Sequence, residues 1–294
     1  MKQKLLKPLI IMTLGLFFFL LLTVFIPFGK YISTNANQLS RRQVKIIAHR
    51  GASGHAPENT LASFQKAIEI GVDMIELDVH LSADDSIIVM HDYKLSRTTN
   101  GTGEIADHSY DDLKKLDAGS KFSLAFKGEK IPTLSEVLEL VKGRCKVLIE
   151  LKWPSNGTYA GLVEKVDETI RKHHAESWTI LQSFETSYLQ EAERIAPNIE
   201  RQELLFGQAT LLPLYFNRSL HFGKFIPERG VSSINIFYIY LNKKLVKKYH
   251  KDSQSVYVFT LNNTKDMIKA ISMGADGLIT NFPELAKKVL AEHR

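Results

Sequence analysis

A single cysteine, Cys145, stands in the 294 residues, so no disulfide can close within the chain and other forces must hold the fold. Cys145 sits at the edge of a strand-like run and reads as a small apolar residue. No run of lysine and arginine is long enough to read as a nucleic-acid patch. The net charge of +6 suits an anionic substrate or surface, or is simply a basic exterior. No Gly-x-Gly-x-x-Gly follows the first strand-like run, which argues against a dinucleotide-binding fold. Disorder is excluded by a composition of 44% hydrophobic and 24% charged residues, and the length fits one large α/β domain.

One long apolar run is present. Lys2, Lys4 and Lys7 mark a basic flank over residues 1–7, and an uncharged stretch from Pro8 to Gly29 follows. About twenty such residues, at 1.5 Å each, cross a bilayer core of roughly 30 Å. A cleaved signal peptide is the rival, but its apolar part is usually only about 7–15 residues long and ends in a small-x-small site. Pro27-Phe28-Gly29-Lys30-Tyr31 is a poor site of that kind. The expectation is therefore an uncleaved transmembrane helix over residues 8–29 and a polar linker over 30–43. The lysines ahead of the span place its N-terminus in the cytoplasm and the domain outside, although Arg41-Arg42 pulls the other way.

From residue 44 to 294 strand-like and helix-like patterns alternate. Strands are expected near Val44–Ala48, Asp73–Val79, Val147–Leu151, Thr179–Ser183, Gln202–Phe206, Ser233–Phe237, Val256–Thr260 and Asp276–Thr280. Helical stretches fall at Thr60–Ile70, Leu134–Val141, Leu162–His173, Thr186–Ile195 and Asn263–Met273. Eight such units predict a closed (β/α)₈ TIM barrel rather than an open sheet. A further strand at Ile87–Met90 follows the second one too closely for a crossover helix, and reads as a hairpin above the barrel mouth. Residues Tyr93 to Lys130, with several glycines, then form a capping insertion after the second strand.

The polar residues at the strand ends carry the chemistry. Glu76 and Asp78 share one face of their strand, and Glu150 and Lys152 stand in the same relation on another. Converging carboxylates repel unless a cation lies between them, and an oxygen-rich site suits Ca²⁺ or Mg²⁺. The competing reading pairs Glu76 with a Lys or Arg across the barrel. His49 ends the first strand and His91 ends the hairpin strand, so the two could form an acid–base pair near neutrality. Arg50 offers a planar fork to phosphate oxygens, Gly51 lets the backbone approach closely, and Lys152 can balance charge or grip phosphate. Glu58 could ligate the metal or orient Arg50, and either Asn59 or Thr60 reads as a helix N-cap. His80 lies one step further out than Asp78, while the remaining histidines lack comparable partners and read as solvent-facing.

From about Lys45 onward the chain resembles the glycerophosphodiester phosphodiesterase family. The resemblance is carried by AHRGASGHAPENTLASF, ELDVHLSADDSIIVMHD, RTTNGTG through LDAGS to IPTLSEVLE, IELKWP, QSF and GADGLITNFP, in the family's order. It implies a TIM barrel with a capping insertion, His49 and His91 as general acid and base, and a divalent cation on Glu76, Asp78 and Glu150. It also implies phosphate contacts from Arg50 and Lys152. Two departures stand out: Phe259 where the family often has Trp, and Asn281 where Asp is usual. The match is loose between Glu200 and Leu245. There the apolar run Leu211–Phe216, with Phe222 and Phe225, could line a lipid or substrate surface or be a barrel helix packing inward.

The expected activity is metal-dependent hydrolysis of a glycerophosphodiester to glycerol 3-phosphate and an alcohol. The same site could instead serve a lysophospholipase D-like enzyme or a hydrolase of an envelope glycerophosphate polymer. A non-catalytic membrane-anchored binding protein would be marked by loss of a histidine or metal carboxylate, and none is lost.

Overall fold

The computed structural model describes residues 43–208 and 213–292. The expected membrane span Pro8–Gly29, the linker and the first part of the Leu211–Phe216 run lie outside them. Among the described residues no helix is long and apolar enough to cross a membrane.

In chain order the elements are β1 (Lys45–Ala48), α1 (Leu61–Ile70), β2 (Met74–Leu81), β3 (Ile87–Val89), α2 (Tyr110–Leu113), α3 (Leu134–Val141), β4 (Lys146–Leu151), α4 (Leu162–Lys172), β5 (Thr179–Ser183), α5 (Thr186–Ile195) and β6 (Glu200–Leu205). They continue with β7 (Gly207–Gln208), β8 (Leu214–Phe216), β9 (Leu220–Phe222), β10 (Val231–Phe237), α6 (Lys243–Lys251), β11 (Ser255–Phe259), α7 (Thr264–Met273), β12 (Gly277–Thr280) and α8 (Pro283–Glu292). Parallel pairing runs β1-β12-β11-β10-β6-β5-β4-β2, and β2 pairs with β1 to close the ring. The fold is the expected (β/α)₈ barrel, with all eight barrel strands where the alternation places them.

Local sequence signals start and stop the helices. Thr60 caps α1 and exchanges hydrogen bonds with Ser63 in a capping box, while Gly71 in the left-handed region ends the helix. Thr133 and Glu136 form the same box at the start of α3. Thr60, not Asn59, is thus the cap, which leaves the Asn59 side chain free for other work.

Alternation along the strands sorts side chains into a barrel interior and an outer core. Ile75, Leu77 and Val79 of β2 face the helices, as do Val147, Ile149 and Leu151 of β4. Inside, Ile47, Met74, Leu148, Ile180, Tyr257 and Ile279 form an apolar plug at the lower end. A side chain at Gly277 would meet the Tyr257 ring at 2.6 Å, so the plug is filled by Tyr257 only because residue 277 has no Cβ. Above the plug lies a buried polar layer. Asn235 donates to Gln182 Oε1 at 2.7 Å and to Gln202 Oε1 at 2.9 Å, and Ser233 donates to Asn235 at 2.9 Å. The charged residues sit above that layer, at the C-terminal mouth.

Two excursions cover the mouth. β3 returns antiparallel on β2, as the short gap predicts, and the insertion that follows closes a core of its own: Ile88, Met90, Leu95, Ile105, Leu113, Ala118 and Ile131. After β6 the usual helix is absent among the described residues, and β7, β8 and β9 form a separate antiparallel sheet. Leu214–Phe216 is therefore strand, not a helix packing inward. Phe225 is buried against Tyr249 of α6 with ring centroids 6.4 Å apart, whereas Phe222 is 83% exposed.

Candidate active site

Barrel register brings the carboxylates together. Asp78 on β2 is the direct neighbour of Glu150 on β4, Glu150 is in turn the neighbour of Gln182 on β5, and Glu76 lies two residues below Asp78 on the same face. One oxygen from each of Glu76, Asp78 and Glu150 lies within 4.8 Å of the others, and all three residues are buried. Burial and the repulsion of Asp78 and Glu150 push the Glu76 carboxyl well above its usual range. Burial pushes Asp78 the same way, but nearby His91, Lys152 and Arg50 outweigh it and hold that carboxyl low.

Cations and donors around the cluster offset this charge. Lys152 Nζ lies 2.8 Å from Glu150 Oε1 and 3.6 Å from Asp78 Oδ1. Burial opposes its charge, yet Glu150 and Asp78 keep its pKa above the usual lysine value. Arg50 takes a left-handed φ of 56°, which turns its backbone N–H onto Glu76 Oε2 at 2.9 Å. Its Nη1 donates to Glu58 Oε1 at 2.9 Å, so Glu58 takes the orienting role rather than standing in the carboxylate cluster. Gly51 follows at φ 80°, where a Cβ would lie 2.6 Å from the Ser63 backbone.

At the cluster itself, Asp78 Oδ1 and Arg50 Nε are buried without a hydrogen bond and keep only longer ion-pair contacts, Asp78 Oδ1 with Lys152 Nζ at 3.6 Å and Arg50 Nε with Asp78 Oδ2 at 3.5 Å. A bare carboxylate oxygen in a three-acid cluster fits a hard cation, and a bare guanidinium N–H fits an anionic oxygen. The residues present thus suit a divalent ion beside a phosphate.

The histidines have unlike partners. His49 Nδ1 lies 2.7 Å from Oδ1 of Asn281. The amide oxygen only accepts, so Nδ1 carries the hydrogen and Nε2 keeps a lone pair. Part of the His49 ring faces the cavity, but enclosure in the barrel mouth, with Arg50 beside it, pushes its pKa down to about 3. His91 Nδ1 lies 2.6 Å from the Asp92 carboxylate, an acceptor that fixes a hydrogen on Nδ1 and orients the ring. The bond from His91, reinforced by Arg97, holds Asp92 far below the usual carboxylate range.

Several supporting groups were not legible in the sequence as site residues. Asn59 donates to Asp78 Oδ2 at 2.8 Å and Gln182 donates to Glu76 Oε1 at 3.4 Å, each fixing a carboxylate. Only the positions of Asn59 after Glu58 and of Gln182 on an inward strand position hinted at such a part. His80 is buried rather than peripheral: it bonds the Tyr159 hydroxyl at 3.0 Å and the His91 carbonyl at 3.1 Å. His55 pairs with Glu284 and His250 with Asp276, away from the cluster.

These groups open onto a cavity of about 270 Å³ lined by His49, Arg50, Glu76, His91, Glu150 and Lys152 on one side. Phe184, Phe206, Phe237 and Phe259 line the other. Phe206 stacks on Phe237 at 4.9 Å, and Phe259 lies 6.0 Å from both Phe184 and Phe237. Phenylalanine at 259 thus keeps the wall aromatic. A charged half and an aromatic half in one cavity suit a substrate that is anionic at one end only.

Residues 49–285 match the profile of the glycerophosphoryl diester phosphodiesterase family. The chain is 34% identical to a glycerophosphodiester phosphodiesterase of Bacillus subtilis over 98% of this chain and 99% of that protein. It is 37% identical to one of Caldanaerobacter subterraneus over 81% of this chain and 94% of the other. A lysophospholipase D of Homo sapiens is 30% identical over 81% and 83% of the two chains. Among solved structures, a phosphodiesterase of Oleispira antarctica in complex with the product sn-glycerol-3-phosphate superposes with a TM-score of 0.72 at 28% identity, covering 87% of this chain and 99% of that one.

The Asn281 contact yields a pH prediction. With its pKa depressed, His49 stays neutral and basic through the weakly acidic range and loses that capacity only as pH falls through the lowered value. Asn281→Asp puts a carboxylate on Nδ1 and raises the His49 pKa by about 1–3 units, so the acidic limb of kcat/KM moves to higher pH. A pH–rate profile of the two proteins checks this, and an unmoved limb would show that His49 does not govern it.

Proposed function

The chain belongs to the glycerophosphoryl diester phosphodiesterase family, and on that premise we propose how its residues divide the reaction. It is a glycerophosphodiester phosphodiesterase, a phosphoric diester hydrolase that releases glycerol 3-phosphate and an alcohol. The observation that carries the proposed mechanism is the joint placement of three buried carboxylates and two differently partnered histidines on one cavity.

Arg50 and Lys152 bind the phosphoryl oxygens, the former through the Nε–H that makes no hydrogen bond within the protein. Glu76, Asp78 and Glu150 would hold a divalent cation, Ca²⁺ or Mg²⁺. When bound, that ion neutralises phosphoryl charge and lowers the pKa of the attacking hydroxyl. His49 is the base: its Nε2 lone pair takes the proton of the attacking hydroxyl as the oxygen–phosphorus bond forms. His91 is the acid: its imidazolium, held by Asp92, gives a proton to the leaving alkoxide as the other phosphoester bond breaks. The aromatic wall receives the part of the substrate remote from the phosphate and keeps water away from that half of the cavity. A lysophospholipid substrate is the less favoured reading, since the more similar relatives carry the glycerophosphodiester name.

The span Pro8–Gly29 supports a single-pass anchor, with the catalytic domain on the extracellular side of the cell membrane.

Chelation abolishes turnover of glycerophosphocholine by the full chain, and Ca²⁺ or Mg²⁺ restores it. Full activity in strong chelator, with no metal found in the protein, would overturn the carboxylate assignment. His49→Ala and His91→Ala each slow the natural diester by about 10² to 10⁴. A nitrophenolate leaving group needs no proton and restores His91→Ala alone. Rescue of His49→Ala instead would reverse the two roles. Protease added to intact cells removes the catalytic domain; its protection, or a mature N-terminus near residue 30, would contradict the proposed anchoring.

A further inference from the structure

Arg97 lies in the capping insertion, outside the groups that bind or transfer anything in the mechanism above. Its guanidinium nevertheless joins two loops of the site. Nη1 donates to Glu58 Oε2 at 2.9 Å and Nη2 to Glu58 Oε1 at 2.7 Å, while Nε donates to Asp92 Oδ2 at 2.5 Å and Nη2 also to Asp92 Oδ1 at 3.1 Å. Both carboxylates also serve site residues: Glu58 Oε1 accepts from Arg50 Nη1 at 2.9 Å, and Asp92 Oδ1 lies 2.6 Å from His91 Nδ1. The result is an unbroken chain of charge-assisted bonds, Arg50–Glu58–Arg97–Asp92–His91.

The arrangement is specific to arginine. Gripping two carboxylates at both oxygens requires several donors in fixed directions, which a planar guanidinium has and a lysine ammonium lacks. It is also poorly explained as a stabilising surface pair, because the Arg97 side chain is 44% exposed and isolated pairs at such sites contribute little. The backbone that carries it is well supported. Leu95 and Thr99 on either side are buried, and the Thr99 hydroxyl donates to the Leu95 carbonyl at 2.8 Å. The insertion's separate apolar core thus delivers one guanidinium to the seam between the loop of His49 and Arg50 and the loop of His91.

We propose that Arg97 is a positioning residue for the hydrolysis: it fixes Asp92 on the Glu58 loop and thereby holds the His91 imidazole against the bound diester. This rests on the reading of His91 as the proton donor. Asp92 alone is a short side chain beside its own histidine and can rotate with it. Tied at both oxygens to a second loop, it cannot.

The test is a double-mutant cycle in the full chain with saturating metal, using glycerophosphocholine. Arg97→Gln lowers kcat by about 10- to 100-fold, the cost of a misplaced catalytic group, and leaves KM within about threefold. Arg97→Lys recovers little of that loss, because the fork is gone. In the His91→Ala background Arg97→Gln costs less than about twofold, since the group it holds is absent. A loss that persists at full size in that background, or one carried by KM, overturns the proposal and assigns Arg97 to phosphate binding through Arg50. A lower melting temperature with unchanged kcat overturns it as well and leaves only a structural role. Near-normal turnover by His91→Ala itself would remove the reading beneath the proposal, and that result is seen without any Arg97 variant.

Discussion

Repulsion among three buried carboxylates is the constraint around which the upper half of this barrel is arranged. Glu76, Asp78 and Glu150 occupy adjacent inward positions only because parallel register and strand alternation force them there. Unpaired, they would be too costly to keep ionised in a low-dielectric interior. The surrounding residues are best understood as responses to that cost. Lys152 and Arg50 supply opposite charge, Asn59 and Gln182 supply oriented donors, and the strained backbone of Arg50 turns an N–H onto Glu76. What they leave without a hydrogen bond, one carboxylate oxygen and one guanidinium N–H, is what a cation and a phosphate would complete.

How far this could be read in advance depended on the range of the interaction. Spacing of two along β2 and β4 was enough to set Glu76 with Asp78 and Glu150 with Lys152, and regular β–α alternation was enough for the barrel. The short gap before β3 likewise excluded a crossover helix. Contacts between distant segments had no local signature: Asn281 with His49 spans 232 residues, and Gln182 with Glu76 spans 106. Helix α6 has a weak local signature, because its apolar stripe is only Leu245, Val246 and Tyr249 among five lysines and a histidine within Lys243–Lys251. The Leu211–Phe216 run left a lipid or substrate surface and an inward-packing helix both open, since continuous apolarity fits strand and buried helix equally, and its described part, Leu214–Phe216, is strand.

The two excursions at the mouth meet different physical demands. The insertion after β3 encloses its own apolar cluster and brings polar side chains to the site. The small sheet after β6 encloses little. Its Arg218 reaches back to Glu185 at 2.6 Å and to the Gly157 carbonyl at 2.9 Å, and lies 5.1 Å over Trp153, whose ring also has Lys152 at 5.4 Å. One excursion is anchored by burial, the other by a latch of charge on aromatic rings across the rim.

The amide layer beneath the carboxylates has a direction. Ser233 donates to Asn235, Asn235 to Gln182 and Gln202, Gln182 to Glu76 and Gln202 to Glu200, so the orientation of each amide is fixed by its neighbours. Reversing any one would set two nitrogens or two oxygens face to face in a buried space. Residues 182, 202, 233 and 235 therefore act as one hydrogen-bonded unit: replacing a single member leaves buried polar groups of the others without partners. A constraint on metal-ligand orientation is in this way written into four positions, of which Gln182 alone reaches the cavity wall.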